Sequence, residues 1–452
     1  MNNKKNRGRE GTNSKKFSIF IYSMTDKMFR GNDLILYRIL LSVVFVSCLV
    51  TNSFAQQPER MEETMVQKFY TLNQNPLFWF SSDQNIQKAT EWLTMIACSR
   101  DLGIISNKLQ SDQIRVALLT NKNLDFIYKE QRDRQITGWV LNFIKELHEG
   151  NIRFAYDGVN SSRDSFYIDQ LLNSNSRESV SQMVSRLECQ DHDYQRLKQF
   201  LNDSIGTKDT IKFKKVVVAM NYRRYLVVNH PKEYIVANIP AAEATYYCND
   251  SLKLKMRAIV GMKTSPSPTI ASYFTSIVTF PQWNVPHSIS VREILPKVQL
   301  NVDYLEKNDF EVIDIKGNLI EDSLIVWKNY NKNNFPYLFR QATGPRNSLG
   351  VLKFNLQSPF SIYLHSTNSQ SLFARENRFL SHGCIRLEKA FELARYLAGD
   401  KIDIKELKRD KKNMQSKTIR LPQKIGVFIV YLPVTVSGDK VILWPDIYGL
   451  IN

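Results

Sequence analysis

Apolar residues recur at helical spacing along the N-terminal half of the chain. In Ile86–Cys98 they fall at every third or fourth position, and Ile136–Leu147 repeats this pattern before it ends at Gly150. Val180–Leu187 and Tyr194–Leu201 are further predicted helices. Aromatic and long apolar side chains at this spacing are typical of a packed core, so this half is predicted to be a helical domain.

After Lys215 the pattern changes to short runs of β-branched and aromatic residues, which predict strands. The runs are Val216–Met220, Tyr225–Val228, Tyr234–Ile239, Arg257–Val260 and Ser276–Phe280. At the C-terminus, Val427–Leu432 and Lys440–Trp444 flank Ser437-Gly438-Asp439 and are predicted to pair as a hairpin. The predicted fold class is therefore α+β, with a helical N-terminal domain followed by a β-rich mixed domain.

The composition is that of an ordinary globular protein, with 43% hydrophobic residues, 23% charged residues and a formal net charge of +17. A basic surface favours anionic polymers such as nucleic acid, lipid headgroups or a cell wall. The chain contains no recognisable nucleic-acid-binding motif. We therefore expect a solvated basic surface and no nucleic-acid partner.

Residues 34–50 form a strongly apolar run that only Arg38 interrupts. Basic residues precede the run and Ser53-Phe54-Ala55 follows it, as in a cleavable export signal. Segment 1–55 is therefore predicted to direct export to the periplasm or cell envelope. An uncleaved inner-membrane anchor is the alternative, because a membrane span needs about 17 apolar residues. Lipidation at Cys48 is a third option with a poor sequence motif.

One stretch, Ile362–Arg386, combines a strand-like start with reactive side chains. His365 follows the predicted strand, and Ser381-His382-Gly383-Cys384 comes at the end of a polar loop. A cysteine with a histidine base is a common thiol nucleophile. Leu387–Leu397 has apolar residues at helical spacing, so Cys384 is expected near a helix N-terminus. There the helix dipole would lower the pKa of the thiol from about 8.5 toward neutrality.

Two histidines compete for the role of base: His382 lies two residues before Cys384, and His365 lies nineteen before it. The backbone amides of His382, Gly383 and Cys384 are expected to form an oxyanion hole. The same cysteine and histidines could bind zinc, but a fourth ligand and a spaced motif are missing. A papain-like peptidase is disfavoured, because its cysteine precedes its histidine in the chain.

His365, the sixteen-residue loop Ser366–Ser381 and the sequence Ser381-His382-Gly383-Cys384-Ile385-Arg386, which begins with the last loop residue, together resemble the L,D-transpeptidase catalytic domain, the YkuD fold. That family cross-links bacterial peptidoglycan with a cysteine nucleophile. Other segments resemble its large, scaffold-bearing subclass: Asn238–Ala241, Ile259–Gly261, Trp283–Pro286, Gly344-Pro345 and Leu349-Gly350. The resemblance covers about residues 125–452 and is strongest from Tyr234 onward.

The resemblance implies a helical scaffold domain at 56–215, a catalytic domain at 216–400, and C-terminal strands at 401–452 that pack on it. A polar, irregular insertion at about 294–344 is expected to cap the active site. The subclass often carries a small peptidoglycan-binding module after the scaffold, and this chain has no room for one there. Substrate capture is therefore expected to depend on the catalytic domain itself.

For the site, the resemblance implies Cys384 as nucleophile and His365 as general base and acid, with Ser366 orienting the imidazole. The side chains expected to bind substrate are those of Arg386, Tyr363 and Ser381. Arg386 has two interpretations: it clamps a carboxylate of the stem peptide, or it forms a structural ion pair with a nearby acid such as Glu388.

The implied reaction joins a tetrapeptide donor stem to the side-chain amine of a diamino acid in a second stem, giving a 3→3 cross-link through a cysteine acyl-enzyme. It needs no metal or cofactor, and carbapenem-type inhibitors are expected to acylate the thiol. Water in place of the amine would make an L,D-carboxypeptidase, and a protein lysine would attach that protein to the wall. A non-catalytic wall-binding protein is the remaining alternative, disfavoured because every motif residue is present.

Overall fold

The fold comes from a computed structural model that describes residues 64–105, 125–173, 178–204, 209–409, 411–421 and 423–451. The chain divides into two units, residues 1–74 and 75–452. In the first unit, residues 64–73 form helix α1. The predicted export segment 1–55 lies outside the described residues. Everything that follows concerns the second unit.

The N-terminal part of the second unit is helical, as predicted. Its described α-helices are α2 Asp83–Ala97, α3 Phe126–Glu149, α4 Asp164–Asn173, α5 Val180–Leu187, α6 His192–Ser204 and α7 Thr210–Asn229. The four helices predicted from apolar spacing are confirmed as α2, α3, α5 and α6. Their apolar faces form the core, as where Trp92 of α2 meets Phe143 of α3 edge to face at 6.1 Å.

One buried carboxylate joins the start of this helical part to α3. Asp133 accepts hydrogen bonds from the backbone amides of Phe78, Trp79 and Phe80 at 2.9, 2.8 and 3.0 Å. The indole of Trp79 also donates to Thr137 at 2.9 Å. These bonds satisfy amides at the start of a 3₁₀ turn that water does not reach, and so hold two distant segments together.

Helix α7 corrects part of the strand prediction. Val216–Met220 and Tyr225–Val228 were predicted as strands, and both lie inside α7, which also passes through residue 215, the predicted domain boundary. Val216, Met220 and Arg224 of this helix are all almost fully buried. Because α7 is surrounded by protein, burial outweighs the preference of valine and tyrosine for strands.

Seventeen strands are found in the described part of the chain. They are β1 Tyr156–Asp157, β2 Glu233–Asn238, β3 Glu243–Cys248, β4 Ser251–Gly261, β5 Ile270–Thr279, β6 Trp283–Asn284, β7 Phe310–Ile313, β8 Leu319–Ile320, β9 Leu338–Gln341, β10 Leu352–Leu356, β11 Tyr363–His365, β12 Phe379–Ser381, β13 Ile385–Leu387, β14 Lys417–Arg420, β15 Gly426–Val430, β16 Val434–Ser437 and β17 Lys440–Leu443. The predicted strands at 234–239, 257–260 and 276–280 are confirmed as β2, β4 and β5.

The larger sheet is barrel-like. Its strands follow the order β5-β10-β11-β13-β4-β3-β2-β15, and β15 pairs back to β5 and closes the ring. Residues facing the interior alternate with residues facing outward: Leu352 and Phe354 of β10 are fully buried, whereas Lys353 between them is half-buried on the opposite face. The fold class is thus α+β, as predicted.

The C-terminal hairpin is confirmed in position but not in its first strand. β16 and β17 pair antiparallel, with Ser437 opposite Lys440 around the turn at Gly438. Val427–Leu432, the predicted first strand, instead contributes β15 to the barrel, where it pairs with β2 and β5. A run of five buried residues suits a strand with neighbours on both sides, and not an exposed hairpin.

The predicted insertion is a small folded cap with its own sheet, in the order β6-β9-β7-β8. It also carries short helices, namely α8 His287–Ile289, a π-helical turn Ser290–Ile294, α9 Leu295–Leu300 and α10 Tyr304–Lys307. The cap begins near Trp283, earlier than predicted, and it is regular where an irregular segment was expected. A separate apolar core that includes Ile294, Val298 and Phe339 holds it together.

Two further helices follow the barrel strands, α11 Ala390–Ala398 and α12 Ile404–Leu407. Leu393 and Leu397 of α11 belong to the same buried cluster as Leu364 of β11 and Ile385 of β13. The strands that carry the candidate site residues are therefore anchored from the side of the apolar core. Their other face is left to the candidate site.

Candidate active site

Three neighbouring strands bring the predicted site residues together. β11 lies between β10, which runs antiparallel to it, and β13, which runs parallel. In this register His365 is opposite Lys353 on one side and Arg386 on the other. Leu364 is opposite Ile385, so Cys384 comes next to the strand that carries His365. Backbone pairing thus brings together residues from separate parts of the chain.

A tight turn holds Cys384 at the start of β13. The Ser381 hydroxyl donates to the Cys384 carbonyl at 2.5 Å and accepts from the Gly383 amide at 3.3 Å. The Ser267 hydroxyl donates to the Gly383 carbonyl at 2.8 Å. Gly383 has a φ of +106°, a conformation that favours glycine. Ser381, predicted to bind substrate, therefore uses its hydroxyl to shape the turn.

The thiol does not lie at a helix N-terminus. Cys384 leads into β13, which pairs with both β4 and β11, and α11 begins only at Ala390. The prediction that a helix dipole lowers the pKa of Cys384 is therefore wrong. The helical spacing seen from Leu387 onward is real, but strand pairing occupies the residues directly after the cysteine.

The Cys384 thiol is partly buried and lies near two cations, Lys353 and Arg386. Sγ of Cys384 donates to the carbonyl oxygen of Ser361 at 3.7 Å. Burial raises the pKa of the thiol, and Tyr363, Lys353 and Arg386 partly oppose this rise. The thiol is therefore protonated in the resting state at neutral pH.

The imidazole of His365 is buried, with 4% of the residue exposed. Burial and the positive charge of Arg386 lower its pKa to about 3, so the ring is neutral at pH 7. Within the described residues, Nδ1 has no hydrogen-bond partner. The thiol of Cys384 points to Ser361 and not to this ring. His365 is thus an unprotonated base beside a protonated thiol.

Ser366 acts on the backbone beside His365. Its hydroxyl accepts from the amides of Val351 and Leu352 at 2.9 and 3.0 Å and donates to the carbonyl of Leu349 at 3.1 Å. The Leu349 carbonyl is one of the groups that partly raise the pKa of His365. The orienting role predicted for Ser366 is therefore indirect, because its hydroxyl holds the Leu349 segment and does not contact the ring.

Arg386 does not pair with Glu388. The carboxylate of Glu388 binds Arg257, accepting from its Nε at 2.9 Å and from its backbone amide at 3.0 Å. The alternative of an Arg386–Glu388 ion pair is therefore wrong. Burial lowers the pKa of Arg386, and its Nε is buried with no hydrogen-bond partner among the described residues. A buried guanidinium without a carboxylate is suited to an anionic ligand.

Tyr363 lies on the cavity wall, as predicted. Its side chain interacts with the indole of Trp283 in the cap and with the thiol of Cys384. Burial and the nearby thiol raise the pKa of the phenol, so it stays neutral and can donate a hydrogen bond. Tyr363 thus links the cap to the barrel at the thiol.

His382 faces the cap. Its Nε2 lies 2.5 Å from Oε1 of Glu293 in the π-helical turn, and 34% of its side chain is exposed. The Gly383 amide is already bonded to Ser381. Among the described residues, the amides of His382 and Cys384 have no acceptor. Two of the three predicted oxyanion-hole amides are therefore available to an oxygen atom.

A cavity of about 240 Å³ joins these groups. Its barrel wall includes Cys384, His365, Tyr363 and Arg386. Its cap wall includes Trp283, Pro286, Ile289, Glu293, Lys297 and Tyr304. The sequence reasoning missed Glu293 and Lys297, because they lie about ninety residues from the motif and carry no motif of their own. A cavity with cations, one acid and aromatic walls suits a short peptide that carries both charges.

Two family models match the chain. YkuD, described as the L,D-transpeptidase catalytic domain, matches residues 232–429, and a model described as the Scaffold domain matches residues 64–201. The first range contains the thiol, the buried imidazole and the guanidinium that share the cavity. The catalytic domain of this chain belongs to the L,D-transpeptidase family.

Several proteins that are named L,D-transpeptidases are similar to this chain, each over a different length. A Haemophilus influenzae protein, provisionally named an L,D-transpeptidase, is 29% identical over 364 residues, which are 80% of this chain and 69% of that protein. Structures of the L,D-transpeptidase from Mycobacterium smegmatis and of L,D-transpeptidase 1 from Mycobacterium tuberculosis are each 14% identical and cover 44% of this chain. Their TM-scores are 0.22 and 0.18, and the chain spans 58% and 61% of their length.

The described ranges of this chain contain no helix with the length and apolar character of a membrane span. The apolar run 34–50 lies outside these ranges. In the same part of the chain, no group of three or more His, Cys, Asp and Glu side chains is arranged to hold a metal ion. Cys98, Cys189, Cys248 and Cys384 are free thiols.

Gly350 of the L,D-transpeptidase domain is expected to tolerate no side chain. Its φ is +62°, and a Cβ there would lie 2.8 Å from the amide nitrogen of Thr367 and closer still to the Ser366 hydroxyl. Gly350→Ala is therefore expected to lower the free energy of unfolding by about 2–4 kcal/mol, from left-handed backbone strain plus overpacking. Denaturant unfolding of the full chain measures the loss.

Gly438→Ala is the matched control for this prediction. Gly438 has a similar φ of +58°, but nothing lies within 4 Å of a Cβ placed there. This variant should lose only about 1 kcal/mol, from backbone strain alone. Equal losses in the two variants would show that crowding against Ser366 does not matter.

Proposed function

We propose that this protein is a peptidoglycan L,D-transpeptidase that forms 3→3 cross-links through a thioester on Cys384. One observation carries the proposal: the Cys384 thiol, the neutral imidazole of His365 and the unpaired guanidinium of Arg386 line the same cavity. A nucleophile, a base and an anion-binding group are the parts that amide exchange on a peptide with a carboxylate requires. The family of the catalytic domain supports the same class of reaction.

In the first half-reaction, Sγ of Cys384 attacks the carbonyl carbon between the diamino acid and the terminal D-alanine of a tetrapeptide donor stem. His365 takes the thiol proton as the carbon–sulfur bond forms. It returns this proton to the amine of D-alanine as the carbon–nitrogen bond breaks. D-Alanine leaves, and the donor stem remains on the enzyme as a thioester.

In the second half-reaction, the side-chain amine of a diamino acid in the acceptor stem attacks the thioester. His365 takes a proton from this amine and returns it to the sulfur as the carbon–sulfur bond breaks. One amide bond has been exchanged for another. The exchange consumes no oxidant, metal or nucleotide.

In the resting site the thiol carries its proton and the imidazole is neutral, which is the starting state for these steps. A neutral imidazole has one ring nitrogen that can accept a proton. The thiol of Cys384 currently donates to Ser361 at 3.7 Å. We infer that the cysteine side chain rotates about χ1 when a substrate enters, because apo sites often lack the catalytic hydrogen bond.

The remaining groups are proposed to bind the reacting peptide. The amides of His382 and Cys384 are proposed to donate to the developing oxyanion, a contact that typically contributes about 3 kcal/mol per donor. Arg386 is proposed to hold a carboxylate of the donor stem with two parallel hydrogen bonds. The Tyr363 hydroxyl is proposed to donate a hydrogen bond to the sulfur of Cys384. Ser381 and Ser366 contribute through the backbone turns that they hold.

This function requires that the enzyme meets its substrate in the cell envelope. We propose that segment 1–55 directs export, as a cleaved signal or as a membrane anchor. Comparing the mass of the protein purified from cells with the mass of the full chain tests this point: loss of about 55 residues indicates cleavage.

The test of the function uses the full chain with purified muropeptides that carry tetrapeptide stems. We expect a dimer that has lost one D-alanine, identified by mass, and fragmentation that places the new bond between two diamino acids. Tripeptide monomer as the main product would instead show that water resolves the thioester, an L,D-carboxypeptidase. A stem joined to a protein lysine would show wall attachment. Failure to form any thioester or product would overturn the proposal.

A further inference from the structure

Lys353 contacts Tyr363 of the candidate site and is not part of the sequence motif around Cys384. It is the second residue of β10, and its neighbours Leu352 and Phe354 are both fully buried in the barrel core. Because side chains alternate along a strand, Lys353 projects from the opposite face. On that face it is directly opposite His365 of β11. A lysine within a barrel strand and opposite a buried histidine is unusual, because its charge must be accommodated there.

The ammonium group of Lys353 rests on an aromatic ring. Nζ lies 4.2 Å from the centroid of the Tyr363 ring, within the range of a cation–π interaction. The same ring interacts with the Cys384 thiol through its hydroxyl. No carboxylate among the described residues forms an ion pair with Lys353. Burial lowers the pKa of its ammonium group. Cys384 acts on Lys353 electrostatically, so a thiolate there would attract this cation.

Both cations of the site act on the thiol and on the imidazole, but with different strengths. Lys353 opposes the raised pKa of the thiol more than Arg386 does. Arg386, in turn, lowers the pKa of His365 more than Lys353 does. Along the three paired strands the order is Lys353, His365, Arg386. The stronger cation is therefore Lys353 for the thiolate and Arg386 for the base.

We propose that Lys353 is a positioning residue, which holds the Tyr363 ring against Cys384 and stabilises the thiolate as acyl transfer begins. The inference rests on the proposed function only in that Cys384 is the nucleophile. A cation that lies against an aromatic face is held there by its attraction to the ring. It therefore supplies charge without moving as the reaction proceeds, which is the form of electrostatic stabilisation that enzymes use most effectively.

The test is the pH dependence of Cys384 alkylation by iodoacetamide in the full chain. Lys353→Met keeps the length of the side chain and removes its charge. We expect the acid limb of the profile to move up by about 0.5–1 pH unit, because a thiolate that loses a nearby cation forms at higher pH. At a fixed pH below the limb, the alkylation rate should fall about three- to tenfold. Lys353→Arg should keep the wild-type profile.

The other titrating groups around the thiol are left unchanged in every variant. They are His365, Arg386 and His382 on the barrel side and Glu293 and Lys297 on the cap. Lys417→Met is the matched control, since Lys417 lies on β14, is exposed and pairs with Glu406 at 3.2 Å. This control should leave the profile unchanged. Thermal unfolding of each variant separates a change at the site from a loss of fold.

The role of the Tyr363 ring in the effect of Lys353 is tested separately. In a chain that already carries Tyr363→Leu, Lys353→Met should shift the profile less than it does alone. A Lys353→Met profile that overlays the wild type in a folded protein would overturn the proposal and leave Lys353 a packing role. A shifted profile in an enzyme that makes no cross-link would overturn the proposed function and leave this inference standing.

Discussion

Replacing Cys384 with alanine is expected to reduce acyl-enzyme formation and cross-linking by at least about 10³-fold, because it removes the sulfur on which the thioester is proposed to form. The hydrogen bond that the thiol donates, to Ser361 at 3.7 Å, is long and weak. The free energy of unfolding should therefore change by no more than about 1 kcal/mol. Intact mass after incubation with a carbapenem measures acylation, and the muropeptide reaction measures cross-linking.

Cys98→Ala is the matched control for this substitution. Cys98 is an exposed free thiol, so it is the described cysteine most open to nonspecific modification. The carbapenem adduct should persist in Cys98→Ala and be absent from Cys384→Ala. A Cys384→Ala protein that still forms the adduct, or still forms cross-links, would remove Cys384 from the role of nucleophile.

The second large effect is expected at His365. His365→Ala should slow acylation of Cys384 by about 10²–10⁴-fold, the usual contribution of a positioned general base. Burial raises the pKa of the Cys384 thiol, and the pKa of the His365 imidazole is about 3. The resting site therefore holds no thiolate that could react without the base. Stopped-flow or quenched measurement of the acylation rate at pH 7 gives the number. Circular dichroism confirms that the buried substitution leaves the protein folded.

His382→Ala is the natural comparison, because His382 is the other histidine beside the thiol. Its side chain bonds to Glu293 in the cap, and only its backbone amide is proposed to meet the substrate. Alanine keeps that amide, so the acylation rate should fall by less than about tenfold. If His382→Ala lost as much activity as His365→Ala, the assignment of the base would need to be reversed.

Most of the fold followed from local pattern. The helices at Asp83–Ala97 and Val180–Leu187 and the strand at Glu233–Asn238 each have one clear apolar period, and each was predicted. Thr210–Asn229 was not, because a helix buried on nearly all sides shows no single apolar face. Its valines then indicate a strand when they are considered alone. In such a segment, only the neighbours that cover it reveal which structure it adopts.

The cap shows a second limit of local pattern. Its polar and aromatic sequence suggested an irregular segment, and the structure has four short strands and a π-helical turn around a core that includes Phe339. Strands of two to four residues have too few positions for an alternating pattern to be visible. Glu293, which meets His382 from this cap, could be found only by its position in the structure.

By itself, the sequence determined which chemistry is available: a thiol, an imidazole and a guanidinium at the spacing of one family. The tertiary structure decided how these groups are charged and what they touch. Strand pairing set His365 between Lys353 and Arg386, burial made the imidazole neutral, and β13 put a strand where a helix dipole was expected. Protonation and contact depend on distance and burial, and residues far apart in the chain determine both.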